Sequence, residues 1–437
     1  MSHTTPHTLS LLAAMMVLGC RSNIQDVTAE ISESVATVAT VRWSTDEAAT
    51  GYIEFGLTDR YGMQTPSTAK GTEHTAVLLG MHADTTYHYR VVGSLDGEEI
   101  TSDDLTLTTN SLPSQLPTMT FDGDADSWQG YIPVPLIGTL NAAVIIDSDG
   151  EIVWYHLLED DSLGPRRVFP SQDGEGVYFN TIDGGSSSYI HWVAWDGEHQ
   201  RSQLVSGHNH DFIEKPDGDL IAMVYDNQEV SGEFKRGDKL VTLSPDGTVT
   251  DLWSIWDSYT YDVLPINEDT WTHANALRYD AEANVAYLGL RNFSTIVKLD
   301  VETATVEWGL GTSPISDYTF AEDTEPFFRQ HHFQFIEDDR LLVFDNHTTG
   351  DDESRVVEYA IDHGTRTLEE VWRFEHDPEL TIYALGEAHR SDDGDTFISW
   401  STGGELQRVS EAGEVEWQLN TELGYAFGYS TPVEALQ

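Results

Sequence analysis

The sequence predicts an all-β protein: a small N-terminal β-sandwich followed by a six-bladed β-propeller. Three observations predict it. Residues 25–110 alternate apolar and polar at period two, residues 120–437 repeat, and no long apolar helical stripe interrupts the repeats. A chain of 437 residues is also too long for one ordinary core. It holds 75 acidic and 22 basic residues, a formal net charge of −53. Such a surface repels nucleic acid and anionic membrane, so nucleic acid is excluded as a partner. Aromatics at 11% and 12 Trp supply cores, which makes the charge a solvated acidic surface rather than a mark of disorder. The single cysteine, Cys20, leaves no internal disulfide and no cysteine-based metal cage.

The chain starts with a leader-like segment at 1–20. Leu9 to Gly19 is an apolar run of eleven, too short to span a bilayer, and it closes in Val17-Leu18-Gly19-Cys20. Ending on Gly-Cys, it resembles a bacterial lipoprotein signal, which implies acylation of Cys20 after cleavage. The first eight residues hold two His and no Lys or Arg, and Val17 stands where such signals usually carry Leu. The expectation is an exported protein, periplasmic or anchored in the outer membrane, that meets a membrane only through its lipid.

In residues 25–110 the strands are carried by Thr37–Trp43, Gly51–Gly56 and Thr86–Val92, broken by Gly and Asp turns. Val41-Arg42-Trp43-Ser44-Thr45, Tyr52-Ile53-Glu54-Phe55-Gly56 and Leu79-Gly80-Met81 ahead of Asp84-Thr85-Thr86-Tyr87 resemble a fibronectin type III domain of the kind that precedes purple acid phosphatases. Tyr87 fits its tyrosine corner. No chemistry is expected in this domain. A Pro/Ser linker at 111–119 leads into the repeats.

Two units interleave through 120–437. One is a Gly or acidic turn ahead of an apolar strand, starting at Asp173, Asp217, Ala283, Asp338 and Asp393, spaced 44, 66, 55 and 55 residues apart. The other ends in Trp, at Trp154, Trp253, Trp308, Trp372 and Trp417. A period near 53 divides the region into six blades.

Blade repetition brings side chains distant in sequence into one axial funnel, so polar residues at blade spacing are the candidates. His210, His273, His331 and His389 lie 63, 58 and 58 residues apart. A ring of this kind suits three functions. It can bind a metal, although the flanking acids sit in turns and no HExxH arrangement occurs. It can catalyse chemistry on an anionic group, for which Arg291 in an otherwise apolar strand supplies a cation. It can also bind a ligand without chemistry.

Longer motifs carry a resemblance. Trp271-Thr272-His273-Ala274-Asn275-Ala276, Gly289-Leu290-Arg291-Asn292-Phe293, Gln330-His331 ahead of Leu342-Val343-Phe344-Asp345-Asn346, and Asn209-His210-Asp211-Phe212 are similar to bacterial arylsulfate sulfotransferases over roughly residues 120–430. The resemblance implies a six-bladed propeller outside the cytoplasm. It implies transfer of a sulfuryl group from a phenolic sulfate ester to a phenol, without a nucleotide donor, cofactor or metal. His331 would be the nucleophile, transiently sulfated in a ping-pong cycle. His210 and His273 would flank it, with an adjacent protonated His serving as acid and then base. Asn275 and Arg291 would hold sulfate oxygens. His332, next to the nucleophile, is its rival, and His332 and His389 are further substrate-binding candidates. Asn292 departs from the family, which commonly has His there. An aryl sulfate hydrolase and a non-catalytic adhesive or ligand-binding propeller are the alternative readings.

Overall fold

Burial along each strand sorts the strands of a blade. Ala142–Asp147 is buried at every position, as a strand covered on both faces must be, whereas Gln200–Leu204 is polar and largely exposed. The computed structural model describes residues 24–437, apart from 160–162, 184–186, 267, 269 and 348–352. Cys20 and the apolar run before it lie outside the described residues.

Six sheets form the propeller, and the first strands of neighbouring blades pack against one another around the axis. Blade two runs Gly164–Pro170, Gly176–Ile182, Tyr189–Ala194 and Gln200–Leu204, from the axis outward. Blade three runs His208–Glu214, Leu220–Val230, Glu233–Leu243 and Val249–Ser254. Blade four follows with Ala274–Asp280, Val285–Leu290, Thr295–Asp300 and Thr305–Gly311. Blade five comprises Phe333–Glu337, Arg340–Asp345, Arg355–Asp362 and Thr367–Glu375, with Thr319–Phe320 parallel at its outer edge.

The ring closes from both ends. In blade six, Glu387–Arg390, Thr396–Ser399, Glu405–Val409 and Val415–Thr421 take Met119–Gly123 as a fifth, outer strand. In blade one, Tyr131–Ile137, Ala142–Asp147 and Ile152–Leu157 take Ala426–Phe427 as the axial strand. Such closure leaves the first and last blades no free edge toward each other.

The repeats now have physical meanings. The Gly-turn unit is the second strand of a blade and the Trp unit is the fourth. Three of these indoles donate across a blade boundary: Trp154 to Trp195 O (2.9 Å), Trp372 to Glu411 O (3.0 Å) and Trp417 to Ser148 O (2.8 Å). Blade two lacks a Trp in its outer strand, which is why only five Trp units mark six blades. The wide 66-residue gap reflects the eleven-residue central strands of blade three and the helical turn Ile255–Ser258 that follows it.

At the N-terminal end, seven strands form one hydrogen-bonded network built on the 18-residue strand Ala39–Gly56. The Tyr87 hydroxyl accepts a hydrogen bond from His82 N–H at 2.8 Å. By compactness the described chain divides into two units, one of 24–28, Val41–Ala76 and His88–Thr106, the other of Ala29–Thr40, Val77–Tyr87 and Leu107–Gln437.

Candidate active site

The axial strands do not run straight at one end of the propeller. Register shifts interrupt the first strands of blades two, three and four, at Pro165/Val168, His208/Phe212 and Ala274/Ala276. In blades three to six a residue near the start of the axial strand takes left-handed backbone: His210 (φ 46°), His273 (φ 51°), Arg329 (φ 55°) and Leu385 (φ 62°). Such φ values are uncommon for side-chain-bearing residues and cluster at functional sites. All four residues line a cavity of about 880 Å³, together with Arg166, Glu268, Thr270, Arg291, His331 and Tyr383.

His331 is the most tightly specified of these. Asn346 donates its amide N–H groups to the main-chain carbonyls of Ile382 (2.8 Å) and Leu385 (2.9 Å). Its Oδ1 is therefore the atom that faces His331 Nδ1, at 2.7 Å. Nδ1 must carry the proton, which leaves Nε2 with a free lone pair. Burial, with Arg291 and His273 adding to it, pulls the imidazole down to about 3, so it is neutral at physiological pH.

His210 and His273 stand beside it, with ring centroids 5.1 Å from each other and His210 6.5 Å from His331. Burial pulls His273 to about 4, aided by Arg291, and pulls His210 well below its ordinary range, aided by His273 and His331. Burial and the nearby guanidiniums thus draw all three imidazoles toward the neutral form in the free cavity. Buried Asp238 ties the two segments together. It accepts from Asn209 Nδ2 (3.3 Å), Thr272 Oγ1 (2.6 Å) and Ala274 N (2.8 Å), and burial raises it to about 6.

Cations dominate the wall. Arg329 pairs with Glu268. Arg291 donates to Asn292 Oδ1 at 3.0 Å, and Asn292 in turn donates to Thr270 O at 2.7 Å. The residue that departs from the family motif is therefore the one that orients Arg291. Arg166 donates to its neighbour's carbonyl, Pro165 O, at 3.0 Å. Among the described residues, neither Arg166 nor Arg291 has a carboxylate partner, in a chain with 75 acids. Burial lowers the pKa of both.

The structure brings His210, His273, His331 and Arg291 together and places the other candidates elsewhere. Asn275 does not line the cavity; it is buried, and its Nδ2 donates to Gln330 O at 2.8 Å, bracing the chain just before His331. His332 points to the opposite side, where Arg278 donates to its Nδ1 at 3.1 Å and Glu387 lies 3.1 Å from its Nε2. That carboxylate belongs to a buried network with Arg167, Arg278 and Thr431. His389 lies in a separate cavity with Asp392, Asp393 and Arg408. Its blade spacing misleads because the backbone equivalent of His210 and His273 in blade six is Leu385, four residues earlier. Among the described residues the one carboxylate–histidine cluster close enough to share a cation is His82, Asp147 and Asp149, none of which lines this cavity.

Asn180, Asp238 and Arg166 escaped the sequence reading, and Asn346 entered it only as part of a motif, without a role. Asn180 is buried and accepts from both Arg166 N (3.0 Å) and Arg167 N (2.9 Å) while donating to His210 O (3.0 Å). Its only sequence signal is a polar residue inside the apolar strand Gly176–Ile182. The doubled Arg166-Arg167 in so acidic a chain was the available signal for the cavity arginine.

Fold and site define a six-bladed propeller whose axial cavity sets buried histidines beside arginines. The chain belongs to the arylsulfotransferase family, since the family profile described as Arylsulfotransferase (ASST) matches residues 99–421. Membership implies a sulfotransferase enzyme with small phenolic substrates. No curated protein matches the sequence. Among solved structures, a protein of unknown function from Bacteroides caccae is 12% identical, with a TM-score of 0.46, covering 70% of this chain and 100% of its own. A periplasmic gluconolactonase from Pseudomonas aeruginosa is 13% identical, with a TM-score of 0.45, covering 71% and 100%. A virginiamycin B lyase from Staphylococcus aureus is 12% identical, with a TM-score of 0.37, covering 69% and 87%.

Proposed function

We propose that the protein transfers a sulfuryl group from a phenolic sulfate ester to a phenol by a ping-pong route through sulfated His331. The observation that carries this is the His331–Asn346 hydrogen bond, which leaves Nε2 as a lone pair in a cavity that also holds Arg291. In the first half-reaction the Nε2 lone pair forms the S–N bond while the S–O(aryl) bond breaks and phenoxide leaves. Sulfation at Nε2 makes the ring cationic, and Asn346 Oδ1 stabilises its Nδ1–H. Arg291 answers the charge on the peripheral sulfuryl oxygens, as positive donors do in phosphoryl transfer. A phenol leaves far more readily than an alkoxide because its pKa is near 10. In the second half-reaction a phenol oxygen attacks sulfur, its proton passes to His210 or His273, and the S–N bond breaks. A neutral imidazole is free to take that proton, and its depressed pKa then returns it to solvent, which resets the site and balances the phenoxide released from the donor. Asn275 and His332 act in this scheme as braces of the nucleophile segment rather than as ligands.

The N-terminal strands are proposed to be a fibronectin III-like module, supported by the Tyr87 hydroxyl bond to main chain five residues upstream. Export and acylation at Cys20 complete the reading, on the Gly19-Cys20 motif.

The test uses protein lacking residues 1–20 with 4-nitrophenyl sulfate and phenol. Phenyl sulfate should form, and intact mass after donor alone should gain one SO3. His331→Asn should abolish both signals. Sulfate released to water with no transfer to phenol would make the protein a hydrolase, and retained transfer by the variant would remove His331 from the mechanism.

A further inference from the structure

Sulfuryl transfer at His331 uses one guanidinium, yet among the described residues the cavity holds two that form no ion pair with a carboxylate. Arg329 is neutralised by Glu268, whereas Arg166 and Arg291 have no such partner among the described residues. A guanidinium partly withdrawn from water and left without a counter-charge is unfavourable until an anion arrives. Two of them imply two negative groups, and a simple aryl sulfate supplies one.

Their positions around the ring separate the two. Arg291 follows the second strand of blade four, beside His331 at the start of blade five. Arg166 rises from the bulged axial strand of blade two, and in a ring of six blades, two and five are opposite. His331 therefore lies in the blade opposite the one that carries Arg166, and both line the same cavity. The space between is of a size that holds drug-like ligands and carries apolar walls from Ile137, Leu385 and Ala426. Nor is Arg166 loosely placed. Asn180 clamps its main chain, Tyr429 N donates to its carbonyl at 2.8 Å, and the following residue, Arg167, is locked to Asp211 at 2.8 Å. Its charge acts on His210, the histidine of the intervening blade three.

We infer that Arg166 forms a second anion subsite, so that the aryl substrates the enzyme prefers carry a carboxylate or a further sulfate on the ring, remote from the reacting oxygen. This rests on the sulfotransferase reading for the identity of the ligand, but the subsite itself is defined by binding alone.

The experiment compares 4-hydroxybenzoate with its uncharged methyl ester by calorimetry on the full-length mature chain, alongside kcat/KM for the two corresponding aryl sulfates. The carboxylate should bind about tenfold or more tightly than the ester, and its sulfate should be the better donor by a similar factor despite its poorer leaving group. Arg166→Gln should erase that preference, and Arg166→Lys should restore part of it. Equal affinity of the two phenols for the wild-type protein overturns the proposal even if the variants do not fold. So does a loss of affinity in Arg166→Gln that is the same for acid and ester. Charge-selective binding without any sulfuryl transfer would sink the catalytic reading and leave the subsite standing. Transfer without charge selectivity would do the reverse.

Discussion

Neutral histidines at low pH are the most direct consequence of this cavity. An ordinary imidazole titrates near 6.5 and is only about 3% neutral at pH 5, whereas a group titrating near 3 is about 99% neutral there. His331 is drawn down to about 3 and His273 to about 4, burial being the main cause and Arg291 a second in each. The perturbation is therefore a pH series from 8 down to 4, with kcat/KM measured for 4-nitrophenyl sulfate at fixed phenol. The donor stays a monoanion throughout, and kcat/KM reports groups of the free enzyme. The expected profile is flat between pH 8 and 5, where an unshifted nucleophile would lose about thirtyfold. Folding must be followed in parallel by circular dichroism, for a reason of sign. Buried histidines with depressed pKa values take up no proton in the folded chain, while the unfolded chain takes them up below 6.5. Stability is thus unaffected above 6.5 and is lost as pH falls from there toward the folded values. Acid loss of activity should coincide with unfolding. A fall centred near 6.5 in protein that is still folded would refute the argument. Arg291→Gln should raise the His331 midpoint, observable by nitrogen shifts of labelled histidine even if activity is gone.

Other outcomes follow from the same structure. Asn346→Leu removes the acceptor that fixes the His331 proton on Nδ1, leaves Leu385 O without its donor and leaves Ile382 O only a longer bond from Ser354 Oγ at 3.4 Å; kcat should drop at least tenfold and folding stability should fall by about 2–6 kcal/mol, read by denaturant unfolding. Phe427→Ala empties a fully buried site in the strand that closes blade one, at a cost of about 3–5 kcal/mol. Because the chain carries −53, anionic donors approach against repulsion; modest salt should raise kcat/KM before it competes at the arginines, and a steady fall from the lowest salt would contradict that.

The part of the site legible in sequence was the part carried by residue type and blade spacing. His210, His273, His331 and Arg291 meet at one cavity, as the motifs implied. His389 shows where spacing stops being informative. A period counts residues, but a cavity is lined by backbone-equivalent positions, and bulges and left-handed residues shift those by two or four places between blades. His332 faces Glu387 because it adjoins His331 and neighbouring side chains leave an extended chain on opposite sides, while Asn275 is turned to Gln330 O where the left-handed His273 and the register shift at Ala274/Ala276 break that alternation.

By itself the sequence determined the all-β class, the six repeats and the acidic surface, because periodicity, turn residues and charge are local or additive properties. The Trp units marked outer strands before their reason was visible, namely indole hydrogen bonds into the next blade. Only the tertiary structure decided which nitrogen of His331 faces Asn346, that burial draws the three histidines toward the neutral form together, and that Arg166 joins Arg291 and His331 in one cavity. Those depend on burial and on partners 15 to more than 100 residues away, through which the fold sets proton positions and leaves charges unpaired.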